Sequence, residues 1–289
     1  QVFVWPPQSS DRQVVDAHWL SMDRVAAEDS SSLSGTVKGA NIIFLMVESL
    51  QEQALNQVVA GGRVTPNLDA LVSESIRFTQ FYHQTAQGRT ADGESLSLCG
   101  LHPLSQGAVF FRYPDYPQQC LPEVLRDEAG YSTASFHGMT SHFWNRVVVE
   151  PRMGIQRIYS KRDYTRGVRI GLGLGDAPFL KQTADKLAEL EEPFFAHVIT
   201  LSSHHPYPLP KRERTLKLGL LKGTYLGRYY QSIHYVDRSI GVFIDKLRTS
   251  GLLDRSVLFV YGDHDMGRLS GVGDVVHVMD PDADKDFLP

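Results

Sequence analysis

An α/β fold with a mostly parallel central sheet flanked by helices is predicted by three observations. The run Asn41-Ile42-Ile43-Phe44-Leu45-Met46-Val47 is apolar after its first residue and enters Glu48 without a break. Continuous rather than alternating hydrophobicity marks a parallel strand buried on both faces. Strand-like and helix-like stretches then alternate down the chain, as successive βαβ units do. Finally, four of the strand-like stretches end in an acid or a histidine. In open parallel sheets the carboxyl ends of the strands share one rim, where ligands bind.

Residues 1–38 are polar and interrupted by Pro6-Pro7, Ser30-Ser31-Ser32 and Gly35. They read as an extended lead-in or linker with one short helix near 14–27, leaving 39–289 as the main domain. The first strand is 41–48. Thr65-Pro66-Asn67 reads as a helix start, with Thr65 at the N-cap and Pro66 at the first helical position. Leu68, Leu71, Val72 and Ile76 continue it at helical spacing. The short aromatic stretch 78–82 reads as a strand, and a polar loop over 84–95 leads into a helix carrying Leu96 and Leu98.

Leu121-Pro122-Glu123 opens the next helix, Gly130 closes it, and 131–137 is a strand ending on His137. The glycine-rich run 167–175 reads as a loop. An amphipathic helix over 178–190 aligns Phe179, Leu180, Leu187 and Leu190. A strong strand over 194–201 precedes Ser202-Ser203-His204-His205-Pro206. The longest helix, 229–247, aligns Ile233, Val236, Ile240, Phe243, Ile244 and Leu247 before Gly251 stops it. A last clear strand, 256–261, delivers Gly262-Asp263-His264-Asp265.

Composition excludes several classes. With 42% hydrophobic and 21% charged residues, the 289-residue chain is ordinary for one large globular domain. A formal net charge of −4 and the absence of a long basic block give no reason to expect a nucleic-acid partner. No stretch reaches the roughly 20 apolar residues of a membrane span. The chain opens on Gln1 without a signal-peptide pattern and reads as a processed or excised piece of something longer. Cys99 and Cys120 leave two readings open: buried free thiols, or one disulfide formed in an oxidising compartment.

The chemistry-bearing residues lie after strands: Glu48 after the first, His137 after the 131–137 strand, His204-His205 after the 194–201 strand, Asp263-His264 after the last. Two carboxylates and a histidine at one rim suit a divalent metal, and mixed oxygen and imidazole donors suit Mn2+ or Zn2+. The stretch 88–95 adds a hydroxyl at a helix N-terminus, where backbone N–H groups and the helix dipole favour an anion. A hydroxyl held by a divalent cation becomes a usable nucleophile at neutral pH. Together these features point to transfer of a phosphoryl-type group.

The motifs resemble those of a known family. Val47-Glu48-Ser49, Thr65-Pro66-Asn67-Leu68, Gln87-Gly88-Arg89-Thr90-Ala91-Asp92, Gly107-Ala108-Val109-Phe110-Phe111, Phe143-Trp144-Asn145-Arg146, His204-His205-Pro206 and Tyr261-Gly262-Asp263-His264 occur in this order. The run from Asn41 to Asp265 is similar to the extracytoplasmic catalytic domain of lipoteichoic acid synthases. These are phosphoglycerol transferases of the sulfatase/alkaline-phosphatase superfamily.

Position by position, the resemblance implies that Thr90 is the nucleophile. Glu48, Thr90, Asp263 and His264 would hold one divalent metal, Mn2+ first, with Zn2+ or Mg2+ as substitutes. Trp144 and Arg146 would line the glycerophosphate pocket. His204 would contact the phosphate and assist catalysis, with His205 as the second candidate in the same motif. Sulfatases proper carry a cysteine in a Cys/Ser-x-Pro-x-Arg setting, which Cys99-Gly100-Leu101-His102 does not match.

The resemblance also implies a phosphatidylglycerol-type head group as donor and a polymer or glucan as acceptor. The expected location is the periplasm or the outer face of the cytoplasmic membrane, reached through N-terminal transmembrane helices outside this chain. Relatives continue well past the Asp-His pair, so the C-terminal portion reads as shortened, and His277 is a poor stand-in for a further phosphate ligand. The alternatives are a phosphoethanolamine transferase or phosphodiesterase using the same site, and a catalytically silent head-group-binding or regulatory domain. His137 reads as a satisfied strand-end histidine. Asp92 reads as a cap for the helix after Thr90, and Arg89 as a screen for an incoming phosphate.

Overall fold

The computed structural model describes residues 35–115, 119–165 and 167–267. The helix expected near 14–27, His277 and the Asp-rich 280–284 stretch lie outside them. The chain divides into two compact units, Gln1–Gly39 and Ala40–Pro289. Of the first, residues 35–39 form a turn, with Lys38 N–H donating to the Gly35 carbonyl at 3.3 Å.

The second unit begins with β1 (Asn41–Val47), followed by a short hairpin, β2 (Val58–Val59) and β3 (Gly62–Arg63). Helices α1 (Pro66–Ser73), α2 (Thr90–Cys99), α3 (Val109–Arg112) and α4 (Leu121–Ala129) come next. Beyond them lie β4 (Ser132–His137), α5 (Arg146–Arg152), β5 (Arg157–Tyr159), the hairpin β6 (Arg169–Ile170) and β7 (Gly173–Leu174), and α6 (Asp176–Leu187). The unit closes with β8 (Phe194–Ile199), α7 (Tyr225–Thr249) and β9 (Ser256–Gly262).

Five strands form the central sheet in the order β5-β4-β8-β1-β9, and every pairing is parallel. Helices cover both faces because β1 is apolar on both. Ile43, Leu45 and Val47 pack with Phe179, Leu180 and Leu187 of α6 and Val236, Ile240, Phe243 and Leu247 of α7. Ile42 and Phe44 face a second cluster built from Ala91 and Leu98 of α2, Phe110, Val149 and Met153. A third cluster, including Val64, Tyr207, Tyr229, Tyr230 and Met266, joins the first turns of α7 to the loop after β9. Strand β9 has a neighbour on one side only: among the described residues, nothing pairs with its outer edge. Phe259 on this strand is 43% exposed.

Several elements depart from expectation. Helix α2 starts at Thr90, so half of the polar loop expected over 84–95 is helical. Its residues are polar because they are buried against polar partners, a pattern that hydrophobic periodicity cannot register. The stretch 78–82 forms no strand, and Phe78, Phe81 and Tyr82 are exposed. The glycine-rich 167–175 run holds the β6–β7 hairpin. Thr65 precedes Pro66 as expected, yet its hydroxyl donates to the Ala54 carbonyl at 2.9 Å rather than accepting from the helix. Cys99 and Cys120 are disulfide-bonded, joining the C-terminus of α2 to the start of α4. No helix among the described residues is long and apolar enough to cross a membrane.

Candidate active site and metal centre

Register brings the two carboxylates together. Val47 pairs with Gly262 in the last rung of the β1–β9 ladder, so the next residues, Glu48 and Asp263, leave the sheet side by side. Ser49 turns the chain away with φ +56°, and its N–H donates to Asp263 Oδ1 at 2.7 Å. Glu48 N–H donates to Thr200 Oγ1 at 3.0 Å, and Ser203 Oγ donates to the Glu48 carbonyl at 2.5 Å. The segment leading to His204 is thereby tied to the same strand end.

Thr90 approaches from the opposite layer as the first residue of α2. Its Oγ1 lies 3.5 Å from Glu48 Oε2 and 3.4 Å from His264 Nε2. The helix comes this close because Gly93 has no side chain: a Cβ there would sit 3.0 Å from the Asp263 carbonyl oxygen. Before Thr90, Arg89 adopts φ 46°, ψ −114°, a region an L-residue holds only under constraint. Its guanidinium supplies part of that constraint, donating to the Asp265 carbonyl at 2.8 Å and to Asp265 Oδ1 at 2.5 Å.

Glu48, Asp263 and His264 are all buried, and each offers a ligand atom within 4.8 Å of the others. Glu48 is 2% exposed. Burial first, and then the Asp263 carboxylate, push its pKa well above the ordinary glutamate value. Burial lowers the pKa of His264, which favours the neutral ring. His264 Nδ1 faces the Asp265 carbonyl at 2.7 Å; with the proton there, the Nε2 lone pair faces the carboxylates at 3.3 Å. Asp263 Oδ1 accepts from Ser49 and His264 N–H, whereas its buried Oδ2 has no hydrogen-bond donor and faces only His264 Nε2 at 3.3 Å. A carboxylate pair without a cation is costly here. The free Oδ2, the neutral imidazole and the Thr90 hydroxyl match the donor set of a divalent metal.

The remaining expected residues are distributed more widely. Arg146 is 1% exposed and lies among carboxylates. Its Nε donates to both Glu94 oxygens at 3.1 Å, its Nη2 pairs closely with Glu94 Oε1, and Glu150 Oε1 stands at 3.8 Å. Only Nη1 is left without a partner. Trp144 is half-buried against Phe111 and Phe143. His204 Nδ1 bonds the His205 carbonyl at 2.6 Å, and exposed His205 bonds Tyr225 Oη at 2.8 Å. The latter contact accounts for His205 without a ligand.

Two further residues lie beside Arg146 and the Phe143 ring, one unmarked in the sequence and one read there as a satisfied strand-end histidine. Glu94 holds Arg146 from 52 residues away, with no local signal beyond a carboxylate in a helix. His137 is buried, its Nδ1 bonds the Ile199 carbonyl at 3.1 Å, and its Nε2 has no partner. Both His137 and Arg146 lie against the Phe143 ring. A strand-end histidine is the available signal, shared with His204.

Known proteins share both the fold and the motifs. A sulfatase family model matches residues 40–273. The chain is 35% identical over 234 residues to lipoteichoic acid synthase 2 of Bacillus subtilis (strain 168), covering 80% of this chain and 36% of that protein. It therefore spans little more than a third of that relative. Among solved structures, the lipoteichoic acid synthase LtaP from Listeria monocytogenes has a TM-score of 0.82 at 28% identity, covering 90% of this chain and 65% of that one. The Streptococcus pyogenes phosphoglycerol transferase GacH, solved with sn-glycerol-1-phosphate, shares the fold at a TM-score of 0.66 and 18% identity, covering 94% of this chain and 72% of that one. With most of its length matched by the family model, the chain belongs to the sulfatase family.

Proposed function

We propose that this domain is a metal-dependent phosphoglycerol transferase with Thr90 as its nucleophile. One observation carries the reading: the Thr90 hydroxyl stands within 3.5 Å of both Glu48 and His264 in a buried cluster with Asp263. Its similarity to lipoteichoic acid synthases and the ligand bound to GacH support the substrate class. Glu48, Thr90, Asp263 and His264 would hold the cation, with Mn2+ as the first choice. When bound, it lowers the pKa of the Thr90 hydroxyl and offsets charge on the phosphoryl oxygens.

Thr90 Oγ1, its hydroxyl proton released to solvent, bonds to the phosphorus of a phosphatidylglycerol-type head group as the bond to the diacylglycerol oxygen breaks. His204 gives that oxygen its proton, leaving a glycerophospho-threonine. An acceptor hydroxyl on a polymer or glucan, giving its proton to His204, then displaces Thr90, which takes a proton back from solvent. Arg146 Nη1 and His137 Nε2, two of the buried nitrogens without a hydrogen-bond partner, offer a donor for a phosphoryl oxygen and an acceptor for a glycerol hydroxyl. Trp144 walls the pocket. The Cys99–Cys120 disulfide fits an oxidising, extracytoplasmic setting at a membrane surface.

Incubating the domain with phosphatidylglycerol and phosphatidylethanolamine analogues, then weighing the Thr90 peptide, tests this. A glycerophosphoryl adduct is expected, and Thr90→Ala should lose both adduct and turnover. A phosphoethanolamine adduct would reassign the donor. Full turnover by Thr90→Ala would end the mechanism.

A further inference from the structure

We propose that Asp92 is a positioning residue for Thr90: its carboxylate holds the 86–89 loop in the shape that aims the Thr90 hydroxyl. The inference rests on Thr90 being the nucleophile. Asp92 is fully buried on the first turn of α2. Its Oδ2 accepts from the N–H of Ala86 and the N–H of Gly88, both at 2.9 Å. An acid at this helical position commonly reaches back to one amide at the helix start. Here it gathers two from the preceding loop, drawing that loop around itself.

Gly88 shows how tight the wrapping is. A Cβ at that position would lie 2.1 Å from Asp92 Oδ1, so only glycine lets the backbone close on the carboxylate. The loop then reaches Arg89, whose φ of 46° persists only where its surroundings over-determine it. The constraint comes from two sides. Asp92 fixes the amides before Arg89, and Asp265, next to His264, fixes its guanidinium. Between these anchors, Thr90 Oγ1 stands 3.5 Å from Glu48 Oε2 and 3.4 Å from His264 Nε2. Asp92 touches no reacting atom, and an exposed N-cap side chain would suffice merely to start the helix. Burying a carboxylate to bind loop amides is warranted by the geometry it imposes on the next residue but one.

The test compares Asp92→Ala and Asp92→Asn with wild type, using the metal-loaded domain and bis(p-nitrophenyl) phosphate as a generic phosphodiester. Hydrogen exchange at the amides of residues 86 and 88 is measured in parallel. In Asp92→Ala those amides should exchange faster, and kcat should fall about 100-fold, as a misaimed nucleophile implies. KM should stay unchanged, and Mn2+ affinity should fall only modestly, because Glu48, Asp263 and His264 keep their places. Asp92→Asn keeps an acceptor oxygen and should recover most of kcat and of the protection, and it serves if the alanine variant fails to fold. Unchanged exchange in Asp92→Ala would overturn the proposal. So would a parallel fall of kcat, substrate affinity and metal affinity in both variants, the mark of a merely structural residue. If wild type forms no Thr90 adduct, the nucleophile assignment fails instead, and the exchange arm still decides whether Asp92 clamps the loop.

Discussion

Asp263 divides its labour between two oxygens, one saturated by backbone amides and one bare. That division fixes the carboxylate's rotation, so the bare oxygen is pre-aimed. Glu48 is held similarly, through Ser49 Oγ donating to its Oε1 at 2.8 Å. Ser49→Ala should therefore weaken metal binding by about 10-fold, within the range for partners of ligating carboxylates; isothermal titration with Mn2+ measures it. The meeting of Glu48, Asp263 and His264 is legible in the sequence because Glu48 and the Asp263-His264 pair end apolar strands, and parallel strands must end together. Arg146 is legible only as a motif residue. Its burial against Glu94 depends on a contact between two helices far apart in sequence, for which the chain carries no periodic signal.

At the level of elements, α2 brings Thr90 to the sheet and is stapled at its far end by the disulfide. Removing the bond with Cys99→Ser and Cys120→Ser should cost about 2–4 kcal/mol, the usual value for such a cross-link, seen as a lower midpoint in urea. Gly93 is the opposite kind of control. Replacing a glycine inside a helix by alanine ordinarily stabilises by about 1 kcal/mol. Here the new Cβ meets Asp263 at 3.0–3.4 Å, so Gly93→Ala should forfeit that gain and loosen Mn2+ binding; melting curves with and without Mn2+ measure both effects. The same helix shows where sequence reading stops. Its buried Thr90, Asp92, Glu94 and Ser95 look like a solvated loop, because polarity ordinarily signals water. The strands, by contrast, announce themselves through unbroken hydrophobicity. Helix α7 does so through Ile233, Val236, Ile240, Phe243 and Leu247, all buried as spaced.

For the whole molecule, buried ionisable groups make stability depend on pH. Burial and the neighbouring Glu94 push the Glu150 pKa from 4.5 to about 8, so the folded protein keeps a proton that the unfolded chain releases. That contribution is complete below pH 4.5 and disappears as pH rises through 8. Buried His197, lowered from 6.5 to about 3, acts oppositely, but only below pH 6.5. Between pH 6.5 and 8, with saturating Mn2+, the melting temperature should fall with rising pH; Glu150→Gln should flatten that slope, as calorimetry can check. The outer edge of β9 carries a different consequence. Among the described residues no strand pairs with that edge; Ser256-Val257-Leu258-Phe259-Val260-Tyr261-Gly262 contains no charge to repel a neighbouring chain, and unpaired strand edges are templates for intermolecular pairing. In concentrated solution this edge should act as a seed, with light scattering that grows faster than concentration. Phe259→Lys would place a gatekeeper on the seed and should suppress the growth.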